Sequence, residues 1–310
     1  MNFENLLKFA AIDIGSNAIR LLLAGVQENG GKPAFHKMSL IRMPLRLGPE
    51  AFTKARLSES MQAQLMETMS GFEHLIAAYR PLNIMACATA ALRAATNGVE
   101  ICKRIRGETG IHIEIIDGKR EAQILLKNNC TMGLGEIPDA LFVDVGGGST
   151  ELSVLHQGRI VQSESFPIGT LRSGLDTEAS NDWLGLQRWL ARYRPSLESG
   201  FAIGSGGNIN KIFFLVNGTR DQPISYRQIQ DTGKMLEAMS LDQRISRLGL
   251  RPDRADVIVP AAYIYLRVME WAGIQKMMVP ILGLADGMIQ LLYSDYLETR
   301  MNNTGTGNRK

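Results

Sequence analysis

Apolar and polar positions alternate along the chain with two periods, two residues in some segments and three to four in others, as strands and amphipathic helices require. Residues 10–26, AAIDIGSNAIRLLLAGV, read as an apolar strand, a polar turn at Asp13-Ile14-Gly15-Ser16-Asn17, and a second apolar strand. The arrangement returns at Phe142 to Leu155, FVDVGGGSTELSVL. With Asp13 set on Asp144, Ile12 falls on Val143, Ile14 on Val145, Gly15 on Gly146 and Leu21 on Leu152. An offset of 131 residues, from 13 to 144, is too long for a solenoid repeat and suits a duplicated domain.

Between the copies, the spacing predicts a helix near Ser58 to Tyr79 with Met61, Leu65, Met69, Phe72 and Ile76 on its buried stripe. A strand is expected at Asn83 to Ala88. Asn97, with Glu100 three residues on, opens a helix in the manner of a capping box. The alternating stretch His112 to Ile116 predicts a strand, and Asp117-Gly118 precedes a helix over 119–129. In the second half, strands are expected within 141–165, at Phe201 to Gly204 and at Met277 to Ile281. Helices are expected near 183–193, 208–216, 225–238, 254–272 and 284–297. Hairpin strands followed by strand–helix alternation in both halves predict an α/β fold of two domains with mixed sheets. The expected domains are 1–128 and 129–300, with the final helix packing back on the first and a disordered polar tail over 301–310.

Composition narrows the function classes. Hydrophobic residues make up 45% and charged residues 21% of 310, which excludes a disordered or fibrous chain. A net charge of +3 excludes a nucleic-acid coat or a polybasic membrane anchor. No DNA, RNA or membrane partner is expected. The N-terminus lacks the basic region of a signal peptide, and no run of about 18 uncharged apolar residues occurs. Cys87, Cys102 and Cys130 form no CxxC pair, so inert thiols in a cytoplasmic protein are expected. His36, His74, His112 and His156 have no metal-ligand spacing. Trp183, Trp189 and Trp271 suit helix packing.

Glycine is in excess, at 31 residues, and its placement is informative. Gly146-Gly147-Gly148-Ser149 is followed by an alternating β-rich stretch, whereas Rossmann and Walker A loops open a helix. What remains is a hairpin turn whose bare N–H groups can form an anion nest. Three further Gly-rich turns occur, at Gly15-Ser16-Asn17, Gly206-Gly207-Asn208 and Gly283 to Gly287. The turn at Gly206-Gly207-Asn208 precedes a helix, as suits a phosphate at a helix N-terminus. Any one of these reads as a structural turn. Four of them, two at matching positions of a duplication, favour phosphate binding.

Glu121 falls in the first turn of its helix, where a glutamate also suits the helix dipole. Lys119 and Arg120 beside it are expected to keep it ionised.

The motifs resemble the exopolyphosphatase / guanosine pentaphosphate phosphatase family, of the actin, sugar kinase and heat-shock chaperone superfamily. The matching segments are DIGSNAIRLLL (13–23), ATAALRAATN (88–97), DGKREAQILL (117–126), VDVGGGSTEL (143–152), GSGGNINKI (204–212), DRADVIVPA (253–261) and GLADG (283–287). They follow the family's order and cover about 10–297, without the helical C-terminal extension of many relatives. The resemblance implies two actin-like (ribonuclease H-like) domains with the active site in the cleft between them. It implies Glu121 as the catalytic glutamate and Arg93 as a catalytic arginine on phosphate. Asp144 and Glu151 correspond to acidic residues that hold a metal, with Asp13 reaching the same ion through water. Ala94, Lys119, Arg120 and Gln123 depart from the family pattern, as do Ala18 and Asn208, and bear on substrate preference and rate.

The implied chemistry is hydrolysis of a terminal phosphoanhydride of inorganic polyphosphate or guanosine pentaphosphate. Such a reaction needs neutralised charge, in-line positioning and a group to orient water. Mg²⁺ suits the hard carboxylate oxygens. Gly15, Ser16, Asn17, Gly146, Gly147, Gly148, Ser149, Gly206, Gly207 and Asn208 are the expected phosphate-binding residues. Arg93, Lys119 and Arg120 are the cations expected near a phosphate chain. The partner is an anionic phosphate-chain or nucleotide substrate, and the family suggests a homodimer. Alternatives are a catalytically weak sensor of guanosine tetra- or pentaphosphate, and an ATP-dependent small-molecule kinase of the same fold.

Overall fold

The computed structural model describes residues 6–28, 30–127, 139–157, 159–172, 180–197, 200–219 and 222–305. The first half runs β1 (Leu7–Ile14), β2 (Ile19–Gln27), β3 (Ala34–Met43), α1 (Gly48–Lys54), α2 (Glu59–Tyr79), β4 (Asn83–Ala88), α3 (Ala90–Ala94), α4 (Gly98–Thr109), β5 (Ile113–Ile115) and α5 (Gly118–Lys127). The second runs β6 (Ala140–Val145), β7 (Thr150–His156), β8 (Arg159–Phe166), α6 (Asn181–Leu197), β9 (Phe201–Ser205), α7 (Gly207–Leu215), β10 (Ile224–Ser225), α8 (Tyr226–Glu237), α9 (Leu241–Leu248), α10 (Pro252–Ala255), α11 (Ile258–Ala272), β11 (Lys276–Met278) and α12 (Leu284–Gly305).

Each half has its own mixed sheet, in the orders β3-β2-β1-β4-β5 and β8-β7-β6-β9-β11-β10. Both start with an antiparallel meander and continue with a parallel strand beside the first. The duplication read from residues 13 and 144 is therefore a duplication of topology.

Strand alternation sorts the side chains into three cores. Ala10, Ile12 and Ile14 of β1 face α2 and α4, while Leu141, Val143 and Val145 of β6 face the outer helices of the second half. Phe9 and Ala11, with Ala140 and Phe142, point the other way into a central core filled by α5 and α12. Burial on both faces explains why these strands are almost continuously apolar.

The predicted helix after Ser58 is α2, and the Ser58 hydroxyl caps it by accepting from Met61 N–H at 3.3 Å. Asn97 stands at the N-cap of α4, but its side chain makes no capping bond; the buried amide instead bonds both backbone groups of Leu57, at 3.1 and 2.9 Å. The helix expected over 254–272 is two, α10 and α11, with Asp256 and Val257 between them. β3 carries no buried residue, so it has no apolar period to reveal it. Cys130 and the boundary expected at 128/129 lie outside the described residues, as does 306–310 of the expected tail. Among the described residues no helix is long and apolar enough to cross a membrane.

Candidate active site

The turn of each meander points into a cavity of about 540 Å³ between the halves. In the first, β1 and β2 pair with Asp13 opposite Arg20, and Gly15 N–H closes the turn on Ala18 C=O at 3.2 Å. In the second, β6 and β7 pair with Asp144 opposite Glu151, and Gly146 N–H closes on Ser149 C=O at 2.9 Å. The two turns touch. A Cβ added at Gly147 would lie 2.9 Å from the Ser16 Cβ, so only glycine permits this approach.

Glu121 reaches the second hairpin from the first turn of α5. Gly118 lets that turn lie against β8, since a Cβ there would come within 2.4 Å of the Ser165 Cβ. Glu121, Asp144 and Glu151 then each present a carboxylate oxygen within 4.8 Å of the others. Glu151 is fixed by two hydroxyls on one oxygen, Ser149 at 2.6 Å and Ser165 at 3.0 Å. Glu121 Oε2 is buried and has no hydrogen-bond partner.

Burial is the main cause that raises all three carboxyls, and repulsion from Glu151 adds to it at Glu121 and Asp144. Asp144 is pushed up to about 7. Glu121 lies well above the usual carboxylate range, and Arg93 is the cation that opposes this. The expectation that Lys119 and Arg120 keep Glu121 ionised is therefore corrected. Lys119 is exposed, neither residue lines the cavity, and neither is a cause of the Glu121 shift. Three crowded carboxyls fit a divalent cation, which would relieve the repulsion, and the unpartnered Glu121 oxygen is left to meet a water beside it.

The structure brings together Glu121, Asp13, Asp144, Glu151 and the turn residues Gly15, Ser16, Asn17, Gly146, Gly147, Gly148, Ser149, Gly206, Gly207 and Asn208, all lining one cavity. Arg93 does not line it. Its guanidinium donates to Ile116 C=O at 2.6 Å, close enough to Glu121 and Glu151 to lower both. Asp13 stands apart from the three-carboxylate group, since Arg20 holds it at 2.8 Å.

The cations at the cavity are ones that sequence reasoning missed: Arg20, Lys37, Arg42, Lys211, Arg251 and Arg254. Three of these carry carboxylate partners, Asp13 on Arg20, Asp286 on Lys37 at 2.7 Å and Asp253 on Arg42. The last two pairs cross from β3 to α12 and α10, and Arg46–Asp256, at 2.7 Å, crosses beside them. No carboxylate pairs with Arg254 among the described residues. It lies over Gly207, and burial, with Arg42 and Arg20 nearby, lowers its pKa to about 10. Ile281, a β-branched residue held at φ +58°, also lines the cavity. One signal could have found Arg20: carried along the duplication, the 131-residue offset sets it on Glu151.

The model of the Ppx/GppA phosphatase family matches residues 26–295. The chain is 25% identical over 300 residues to the bifunctional 3-dehydroquinate synthase/phosphatase of Fusobacterium nucleatum, covering 87% of this chain and 44% of that protein. It is 25% identical over 301 residues to the guanosine-5'-triphosphate,3'-diphosphate pyrophosphatase of Aeromonas hydrophila, covering 91% and 58%. Exopolyphosphatase 1 of Mycobacterium tuberculosis is 28% identical over 312 residues, with 91% and 87% covered. The chain thus spans about half the length of the first two relatives.

Among solved structures, the Ppx/GppA family member of Aquifex aeolicus superposes with a TM-score of 0.73 at 23% identity, over 95% of this chain and 99% of that one. An exopolyphosphatase from Cytophaga hutchinsonii gives 0.78 at 21%, over 93% and 98%. The likeness is one of fold, two actin-like α/β halves about a cleft.

Proposed function

Because the chain belongs to the Ppx/GppA phosphatase family, we propose that it is a metal-assisted hydrolase of phosphoanhydrides, releasing the terminal phosphate of inorganic polyphosphate or guanosine pentaphosphate. The observation that carries the reading is the group Glu121, Asp144 and Glu151, set in a cavity lined by bare backbone turns and arginines.

Each residue has a distinct task. Asp144 and Glu151 would hold Mg²⁺, with Asp13 behind them. When bound, the ion supplies positive charge to phosphate oxygens and to developing charge on the leaving group. The turns at Gly15, Gly146 and Gly206 donate N–H groups to phosphate oxygens. Arg20 and Arg254 neutralise the chain of phosphates, and Arg254 needs no rearrangement to do so. Arg93 acts from behind, keeping Glu121 able to lose its proton. Glu121 orients a water and takes its proton on Oε2 while the water oxygen bonds to the terminal phosphorus. The bond from that phosphorus to the bridging oxygen breaks, and the shortened chain leaves with the electron pair. We assign this work to a clamp of two domains, 1–128 and 129–300, acting in the cytoplasm as a homodimer.

The test is phosphate release from long polyphosphate, short polyphosphate and guanosine pentaphosphate, each with and without Mg²⁺. Mg²⁺-dependent release from at least one substrate is expected. Glu121→Gln should lower kcat by about 10³-fold or more while the protein still binds substrate. Wild-type turnover in that variant, or no release from any of the three, overturns the proposal.

A further inference from the structure

Strands β6 and β9 pair in parallel from Ala140–Phe201 to Asp144–Ser205. Beyond that point the ladder stops, and a side chain joins the two strand ends. The Tyr265 hydroxyl accepts from the Val145 N–H at 3.3 Å and donates to the Ser205 carbonyl. One phenol thus bridges a donor on one strand and an acceptor on the other.

Tyr265 comes from α11 and is fully buried, with its ring in the core of the second half. Burial and the nearby Asp144 raise its pKa well above the phenol range, so the hydroxyl keeps its proton. The bridge stands directly behind the cavity. A Cβ added at Gly206 would lie 3.1 Å from Asp144 Oδ1 and 3.4 Å from the Tyr265 hydroxyl, so these groups meet around one point. Gly206, at φ +109°, then leads into the N-terminus of α7, which faces the cavity.

We infer that Tyr265 is a positioning residue, whose hydroxyl fixes the parted ends of β6 and β9. Through them it holds Asp144 and the Gly206 and Gly207 amides at the separation that a phosphate beside a divalent cation requires. The inference rests on the proposed hydrolase function for its kinetic part. Phenylalanine would fill the same space but leave the Val145 N–H and Ser205 C=O buried and unpaired. Those strand ends would then be free to close or to admit water, and Asp144 would move with them.

The experiment compares Tyr265→Phe with Val268→Ala, a cavity-forming change in the same helix and core. Thermal unfolding, Mn²⁺ affinity by calorimetry, and KM and kcat for phosphate release are measured on both. Both variants should melt below wild type. Only Tyr265→Phe should weaken Mn²⁺ binding and raise KM, each about tenfold, with kcat changed less. Equal Mn²⁺ affinity and KM in the two variants, or a wild-type protein that binds no Mn²⁺, overturns the inference. Wild-type protein that binds Mn²⁺ yet releases no phosphate overturns the hydrolase reading alone, and the Mn²⁺ comparison still decides the role of Tyr265. If Tyr265→Phe does not fold, Tyr265→Met takes its place, since it fills much of the ring's space and brings no hydroxyl. Mn²⁺ affinity equal to that of Val268→Ala then overturns the inference, and a weaker affinity supports it.

Discussion

The two hairpins at the base of the cleft share one register and differ in charge. In each, an aspartate is the last residue but one of the first strand, a four-residue turn closes on its own first glycine, and the residue opposite the aspartate faces the cavity. In the first hairpin that opposite residue is Arg20, and the pair is neutral by itself. In the second it is Glu151, and the pair crowds two carboxylates that a third, Glu121, approaches. One scaffold therefore carries its own cation on one side and a site for an added one on the other. The tips differ as well: Ser16-Asn17 keep side chains, and Asn17 donates across the cleft to the Asp253 carbonyl at 2.6 Å. Their counterparts Gly147-Gly148 have none. Phe52 of α1 fills the space over Gly148, with Arg172 stacked on its ring at 4.5 Å. Symmetry of backbone with asymmetry of charge lets two like turns hold opposite ends of one task.

The sharpest way to break the comparison is to make the second hairpin like the first. Glu151→Arg should pair with Asp144, remove Mn²⁺ binding by calorimetry and lower phosphate release by about 10³-fold or more. The reverse exchange, Arg20→Glu, should raise KM by about 10–100-fold, since one charge-assisted contact is worth about 1.5–3 kcal/mol. Steady-state kinetics would separate this from any loss in kcat.

Third in size is a pH effect that belongs to the second hairpin. Its carboxyls have folded-state pKa values raised above the ordinary range near 4, to about 7 for Asp144. The folded chain then holds protons more tightly than the unfolded one. The stability that Asp144 contributes in this way is complete below about pH 4 and is lost as pH rises through about 7. Without divalent cation, the melting temperature should fall by roughly several degrees between pH 5 and 8. Excess Mg²⁺ should cancel the fall, and Glu121→Gln should flatten it. The smallest expected effect is at the point of contact. Gly147→Ala would press on Ser16 and cost about 1–3 kcal/mol, read as a shift in denaturant midpoint.

Much of this comparison was legible in the residues. The repeat of Asp13 to Leu21 on Asp144 to Leu152 gave the paired hairpins because strands buried on both faces leave a strong apolar signature. The glycine turns and Glu121 were found by motif and resemblance. The cations were harder to see. Arg42, Lys37 and Arg254 sit in a strand or short helix where a single charge looks like solvated surface. Only the meeting of two distant segments makes them a lining. β3 was silent for the reverse reason, since its residues are half-buried or exposed. Asn97 shows how a good local signal loses to a tertiary partner: its cap was given up for two bonds to Leu57.

The final helix has a consequence for the order in which the chain can fold during synthesis. α12 and α5 fill the space between the inner faces of the two sheets, so Phe9, Ala11 and Leu22 of the first sheet are covered partly by Met288, Ile289 and Leu292. Its Tyr293 and Arg300 also reach back to Glu28, just past β2, at 2.8 and 2.9 Å. A ribosome adds about 5–20 residues per second. The first sheet, complete in sequence once β5 has emerged, therefore waits on the order of ten seconds or more for the helix that seals it. During that interval an apolar face of the first sheet stands uncovered.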